Sequence, residues 1–151
     1  MTEAARRLVV LVRHAKAESG EDRDDHDRRL TSRGRRNAAA AGRWLAERLP
    51  ELDAVWCSSA VRAVQTWDGM APAVRAPEPT VDRNLYLAGA RDVVERLTDA
   101  SGRAVVMVGH NPTVEQVLAA LSGEMRGMRT CAIAIVDPDS RRLVDFWEPP
   151  R

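Results

Sequence analysis

The sequence is short of several things, and each shortage narrows what the protein can be. It has almost no excess of charge: 23 lysines and arginines face 22 aspartates and glutamates, a formal net charge of +1. A nucleic-acid binder draws affinity from neutralising many phosphates, so this balance argues against a nucleic-acid partner. No apolar run approaches the ~20 residues that a membrane-spanning helix needs, so no membrane partner is expected. Met1 to Arg7 is short and polar and leads straight into a strand-like run, so neither a leader nor an anchor is expected there. The 2 cysteines, Cys57 and Cys131, lie in apolar segments, which fits reduced thiols in a cytoplasmic protein rather than a disulfide framework. Lysine is nearly missing too: Lys16 stands alone among 23 cationic side chains, and the other 22 are arginine. Coding bias accounts for most of that, but arginine is also the better residue for gripping phosphate with two donors.

The chain that remains is ordinary in bulk. Its 151 residues suit a single domain over residues 1–151, and 44% hydrophobic with 30% charged residues excludes wholesale disorder. A chain of this size buries roughly 68–70% of its unfolded surface and needs no staples.

Two segments follow one plan. Leu8-Val9-Val10-Leu11-Val12-Arg13-His14 is a run of apolar residues, one spacer, then histidine, and Ala104-Val105-Val106-Met107-Val108-Gly109-His110 repeats it. Neither alternates apolar with polar, so each reads as a strand covered on both faces. Helical spacing runs from Arg35 to Leu49 through Ala38, Ala41 and Leu45, and Pro50 stops it. Ala54 to Cys57 reads as a short strand, and Ser58 or Ser59 can cap a helix from about Ala60 toward Met70. A short helix is expected over Asp92 to Thr98. Thr113 to Gln116 fits a capping box opening a helix to about Leu121. Ala132 to Val136 and Leu143 to Trp147 read as closing strands around a turn at Asp137-Pro138-Asp139. The alternation predicts an α/β fold, a three-layer sandwich with a mainly parallel central sheet flanked by helices. In such folds ligands gather beyond the carboxyl ends of the strands.

Chemistry collects at those ends. If the repeated strands are neighbours, His14 meets His110. Arg13 precedes His14, and Arg62 falls in the first turn of the helix after Ser59, where it opposes the helix dipole unless an anion is held there. Two arginines and two histidines make a phosphate-sized cationic pocket. A neutral histidine nitrogen can attack a phosphoryl group there while the cations hold its oxygens. No metal is expected, because 3 histidines without a Cys/His cluster or a His-Glu-x-x-His spacing make a poor ligand set. Nor does the chain carry a Gly-x-Ser-x-Gly elbow, a Walker loop or a Gly-x-Gly-x-x-Gly fingerprint. The loop Glu18 to Arg29, with six carboxylates, three arginines and His26, is either a solvated loop or a flap over the site. Ser58 reads as a cap, Tyr86 as a buried tyrosine, His26 as exposed, and the four tryptophans as core or rim packing.

These blocks resemble a known family. Leu11-Val12-Arg13-His14-Ala15-Lys16-Ala17 resembles the Arg-His-Gly signature of the histidine phosphatase superfamily, the phosphoglycerate-mutase-like group, and looks most like its SixA-type phosphohistidine phosphatases. The similarity continues through Asp27 to Gly34, through Ser58-Ser59-Ala60-Val61-Arg62-Ala63-Val64-Gln65-Thr66, and through Val108-Gly109-His110-Asn111-Pro112. The resemblance implies the phosphoglycerate-mutase-like fold, no cofactor, His14 as the nucleophile that becomes phosphorylated, and Arg13, Arg62 and His110 as the phosphoryl-binding residues. Water would then hydrolyse the phosphohistidine intermediate. Alanine at 15 is normal for the SixA-type branch, whereas Arg29 stands where the family usually has proline.

One departure bears on substrate. Many relatives carry a proton-donating glutamate where this chain has Arg83-Asn84-Leu85-Tyr86-Leu87-Ala88-Gly89, without a carboxylate. An alkoxide is a very poor leaving group without a proton donor, whereas an imidazole can take a proton from solvent. The expected substrate is therefore phosphohistidine in a protein partner. A small phosphorylated molecule is the alternative, favoured if Glu18, Asp22 or Asp27 supplies the proton. A non-catalytic phosphate-binding module is the other alternative. A monomer is the default expectation for so compact a chain.

Overall fold

The computed structural model describes residues 7–21 and 23–151. The expectation for Met1 to Arg7 therefore lies, apart from Arg7, outside the described residues, and so does Asp22. Among the described residues no helix is long and apolar enough to cross a membrane.

The two repeated segments are adjacent. β1 (Leu8–Arg13) pairs parallel with β4 (Ala104–Gly109), from Leu8 opposite Ala104 to Arg13 opposite Gly109. The two copies of the apolar plan thus end level, and the two histidines leave the sheet side by side. β2 (Ala54–Ser58) lies parallel to β4, and the three-residue β3 (Thr80–Asp82) parallel to β2. On the other side, β5 (Ile133–Asp137) runs antiparallel to β1, and β6 (Arg142–Trp147) antiparallel to β5. The order is β3-β2-β4-β1-β5-β6. Parallel pairings predominate, and the antiparallel pair closes one edge.

Both faces of this sheet are covered, which is why its strands do not alternate. α1 (Ser32–Arg48) and α2 (Val61–Met70) pack on one face, where Val10, Val12, Val55 and Val106 meet Ala38, Ala41, Leu45 and Trp67. On the other face, Val9, Leu11, Val105 and Met107 meet Val93 and Leu97 of α4 (Ala90–Asp99) and Val117 and Leu118 of α5 (Thr113–Ser122). Burial of each such aliphatic side chain contributes about 1.5–3 kcal/mol.

Local starts and stops differ from expectation in instructive ways. α1 begins at Ser32, three residues before the apolar spacing at Arg35, because the Thr31 hydroxyl accepts the Gly34 amide at 3.0 Å and caps it. Neither Ser58 nor Ser59 occupies the cap position of α2, which falls to Ala60, a residue with no side-chain acceptor for the first helical amides. The Thr113–Gln116 capping box does not form either. Pro112 occupies the cap position of α5, and the Thr113 hydroxyl donates to Ala88 O at 3.1 Å. β3 and the following α3 (Arg83–Leu87) went unanticipated, being too short for a period to show. Asp137 Oδ1 accepts the amides of Asp139 and Ser140, which forms the expected β5–β6 turn.

One close approach ties the fold to the site. α1 starts against the chain that has just left His14: the Thr31 amide donates to Lys16 O at 2.9 Å, and a Cβ on Gly34 would lie 2.2 Å from that same carbonyl. We predict that Gly34→Ala lowers stability by about 1–3 kcal/mol. Gly127→Ala, whose Cβ meets only Glu115 Oε2 at 3.9 Å, serves as the neutral control. Urea unfolding measures both. An unchanged midpoint for Gly34→Ala would show that α1 and the Lys16 segment separate freely.

Candidate active site

The level ends of β1 and β4 set the two histidines face to face. The His14 amide donates to Gly109 O at 3.0 Å, and the rings of His14 and His110 lie 5.2 Å apart between centroids. His14 is 8% exposed. Its Nδ1 is 2.8 Å from Ala15 O. A carbonyl can only accept, so Nδ1 carries the proton and Nε2 keeps its lone pair. Ala15 is held in turn: its amide donates to Thr66 Oγ1 at 2.9 Å, and the Thr66 hydroxyl donates to Arg62 O at 2.7 Å. Burial pushes the His14 imidazole down from 6.5 to about 4, the bond to Ala15 opposes this, and Arg62 and Arg13 add to it. His14 is therefore neutral at pH 7, with an available lone pair.

The cations around it are incompletely satisfied. Arg62 is the second residue of α2 and only 5% exposed. No acidic side chain occupies that first turn and no side chain caps it, so the positive helix end is uncompensated. Arg13 is half-buried and bonds Met128 O through Nη1 at 2.9 Å. His110 holds Ser58 Oγ through Nε2 at 2.7 Å. Arg13 Nε, Arg62 Nε and His110 Nδ1 are all buried without a hydrogen-bond partner among the described residues. Buried donors are rarely left unmade. These three belong to the residues grouped by sequence around His14, and a tetrahedral anion would satisfy them.

The acidic loop reaches this place through a residue not singled out from sequence. Asp25 lies in a 3-10 turn, Asp25–Asp27, and takes Arg62 Nη1 on its carbonyl at 2.7 Å and Arg62 Nη2 on Oδ2 at 3.0 Å. Arg28 Nε binds Oδ1 at 3.2 Å, and the Tyr86 hydroxyl donates to Oδ2 at 2.6 Å. The Tyr86 bond, with Arg62 and Arg28, holds the Asp25 carboxyl well below the usual carboxylate range. The loop thus reaches the site through Asp25 and His26, while most of its described residues stay exposed. Tyr86 is half-buried rather than buried; its ring stands edge-on to His110 at 5.6 Å and to His26 at 4.8 Å. His26, expected to be exposed, is half-buried and bonded to Ser59 Oγ through Nε2 at 2.8 Å.

Of the carboxylates considered as proton donors, Asp22 lies outside the described residues. Glu18 takes the Arg29 amide at 3.3 Å and pairs with Arg23 at 3.0 Å, and Asp27 lies beside His26 Nδ1 at 3.5 Å. Nothing in the sequence marks Asp25 among the six carboxylates of the loop, because only the folded loop says which one meets Arg62. Among the described residues, no group of three or more His, Cys, Asp or Glu is placed to hold a metal ion. Burial pushes both cysteine thiols up to about 12, so neither offers a thiolate.

Comparison with known proteins gives the family and the fold. The model of the histidine phosphatase superfamily (branch 1) matches residues 9–86, which includes His14, Asp25, Arg62 and Tyr86. The chain belongs to the histidine phosphatase superfamily. An uncharacterized Mycobacterium tuberculosis protein is 40% identical over 117 residues, covering 74% of this chain and 72% of that one. A structure from Agrobacterium tumefaciens, assigned as the phosphohistidine phosphatase SixA, superposes with a TM-score of 0.84 at 29% identity, over 95% of this chain and 99% of that one. The protein histidine phosphatase SixA complexed with tungstate gives a TM-score of 0.77 at 26% identity, over 89% and 91% of the two chains. Within the superfamily the chain is of SixA type, with the phosphoglycerate-mutase-like fold.

The lowered histidines make stability depend on pH. Between pH 6.5 and about 4 the unfolded chain takes up a proton that folded His14 refuses, so stability falls as pH falls through that window. For His14 alone the loss reaches roughly 3 kcal/mol at pH 4. Urea midpoints at stepped pH should show it, with a shallower slope for His14→Gln. Parallel slopes for the two proteins would show that His14 titrates normally in the fold.

Proposed function

We propose that this SixA-type chain acts as one histidine-phosphatase domain over residues 1–151 and hydrolyses phosphohistidine in a protein partner through a covalent intermediate on His14. His14 Nε2 attacks phosphorus, forming the P–N bond to His14 as the bond to the leaving imidazole breaks. Arg13, Arg62 and His110 hold the equatorial oxygens as their charge grows. The departing imidazole takes a proton at its freed nitrogen from solvent. Water then attacks phosphorus, inorganic phosphate leaves, and His14 recovers its lone pair. No metal or cofactor enters these steps.

The observation that carries this reading is the state of His14. Its proton is committed to Ala15 O at 2.8 Å and it is neutral down to about pH 4, so Nε2 is a nucleophile at neutral pH beside Arg13 Nε and Arg62 Nε, buried donors without a partner among the described residues. The tungstate bound by a SixA neighbour is an oxyanion of the size this pocket would take.

What α3 and Asp25 offer supports the leaving group. Segment 83–89, where many relatives are expected to carry glutamate, has no carboxylate, and Asp25 is held ionised by Tyr86, Arg62 and Arg28. Neither the α3 segment nor Asp25 supplies a carboxylic acid at neutral pH to protonate an alkoxide. An imidazole does not need one.

Phosphate release from a phosphohistidine peptide and from an alkyl phosphate ester, with chelator present, tests this. Fast release is expected from the peptide alone, falling at least 1,000-fold in His14→Ala. Comparable release from the ester would refute the leaving-group argument. No release from either, by folded protein that still binds vanadate, would leave a phosphate-binding module.

A further inference from the structure

We infer that Ser58 is a positioning residue that fixes the tautomer of His110, so that His110 presents Nδ1–H to the phosphoryl oxygen. This rests on the reading of His110 as an oxygen-binding donor, and extends it to the residue that makes it one.

The argument is a count of protons around one hydroxyl. Ser58 closes β2, is fully buried, and touches two groups: the Ala60 amide, whose N–H donates to Ser58 Oγ at 3.2 Å, and His110 Nε2 at 2.7 Å. The amide can only donate, so it occupies one lone pair of Oγ. Suppose His110 Nε2 carried the proton. It would donate to the other lone pair, and the Ser58 hydroxyl proton would then have no acceptor among the described residues. His110 Nδ1 would also become a bare lone pair, buried and unpartnered, aimed at any bound anion. Both faults vanish if the Ser58 hydroxyl donates to Nε2. The proton then resides on Nδ1, the buried nitrogen that lacks a partner.

A doubly protonated ring would also offer Nδ1–H, but the site opposes it. Burial, the facing His14 and Arg62 push His110 down to about 3, against the opposing pull of Asp25. A neutral ring has one proton to place, and Ser58 decides where. The same hydroxyl accepts from Ala60 at the cap position of α2, so the turn that delivers Arg62 also orients His110.

The test is direct. Long-range proton–nitrogen NMR of 15N-histidine-labelled wild-type protein at pH 7 should show His110 with a pyrrole-like Nδ1 and a pyridine-like Nε2. The opposite pattern, or a doubly protonated ring, overturns the inference without reference to turnover, so its failure and that of the proposed phosphatase reading are separable. Ser58→Ala should abolish the tautomer preference and lower kcat/KM on the phosphohistidine peptide roughly 10- to 100-fold, less than deleting an oxyanion donor outright. Ser58→Thr, which keeps the hydroxyl, should recover most of that loss. Wild-type turnover by Ser58→Ala overturns the inference. Should Ser58→Ala not fold, the wild-type spectrum decides alone.

Discussion

The hydrogen bond from the His14 amide to O of Gly109, the last residue of β4, extends the β1–β4 ladder one residue beyond β1, and the site depends on it. With the two copies in level register, the ladder places both histidine rings beyond the same carboxyl edge. A slip of one residue would reverse the facing of every side chain in β1, moving Val10 and Val12 from the α1–α2 layer to the α4–α5 layer. Register is therefore held by the whole hydrophobic interior, and His14 inherits that rigidity.

Electrostatics follows from the same placement. Burial at this edge, with Arg62 adding to it, disfavours protonation, which leaves both imidazoles neutral and their nitrogens differentiated by hydrogen bonding rather than by charge. Ala15 O assigns the proton of His14, leaving a nucleophilic Nε2. On our reading Ser58 assigns that of His110, leaving a donor at Nδ1. On this reading one ring presents a lone pair and its neighbour a donor because one is bonded to an acceptor and the other to a hydroxyl that donates.

Asp25 is the counterweight. Its carboxylate and carbonyl take both terminal nitrogens of Arg62, while Arg28 and Tyr86 bind the same carboxylate. An arginine buried to 5% exposure without an anion would be costly, and Asp25 offsets that cost while leaving Arg62 Nε unpartnered. The loop that carries it is bound to the site through charge rather than apolar packing, since no residue of the Asp25–Asp27 turn is buried.

Much of this was written locally. The unalternating runs of β1 and β4 determined a sheet covered on both faces, and the Arg-His, Ser-x-x-x-Arg and Gly-His blocks named His14, Arg13, Arg62 and His110, because those residues lie at element ends that short-range signals define. What tertiary structure alone decided was which groups share a proton or a charge. Asp25 is one carboxylate among six until the loop folds onto Arg62, and Ser58 is an ordinary capping candidate until β4 brings His110 to its hydroxyl. A hydrogen bond between residues 52 positions apart is set by the pairing of β2 with β4 and leaves no periodic trace in the chain.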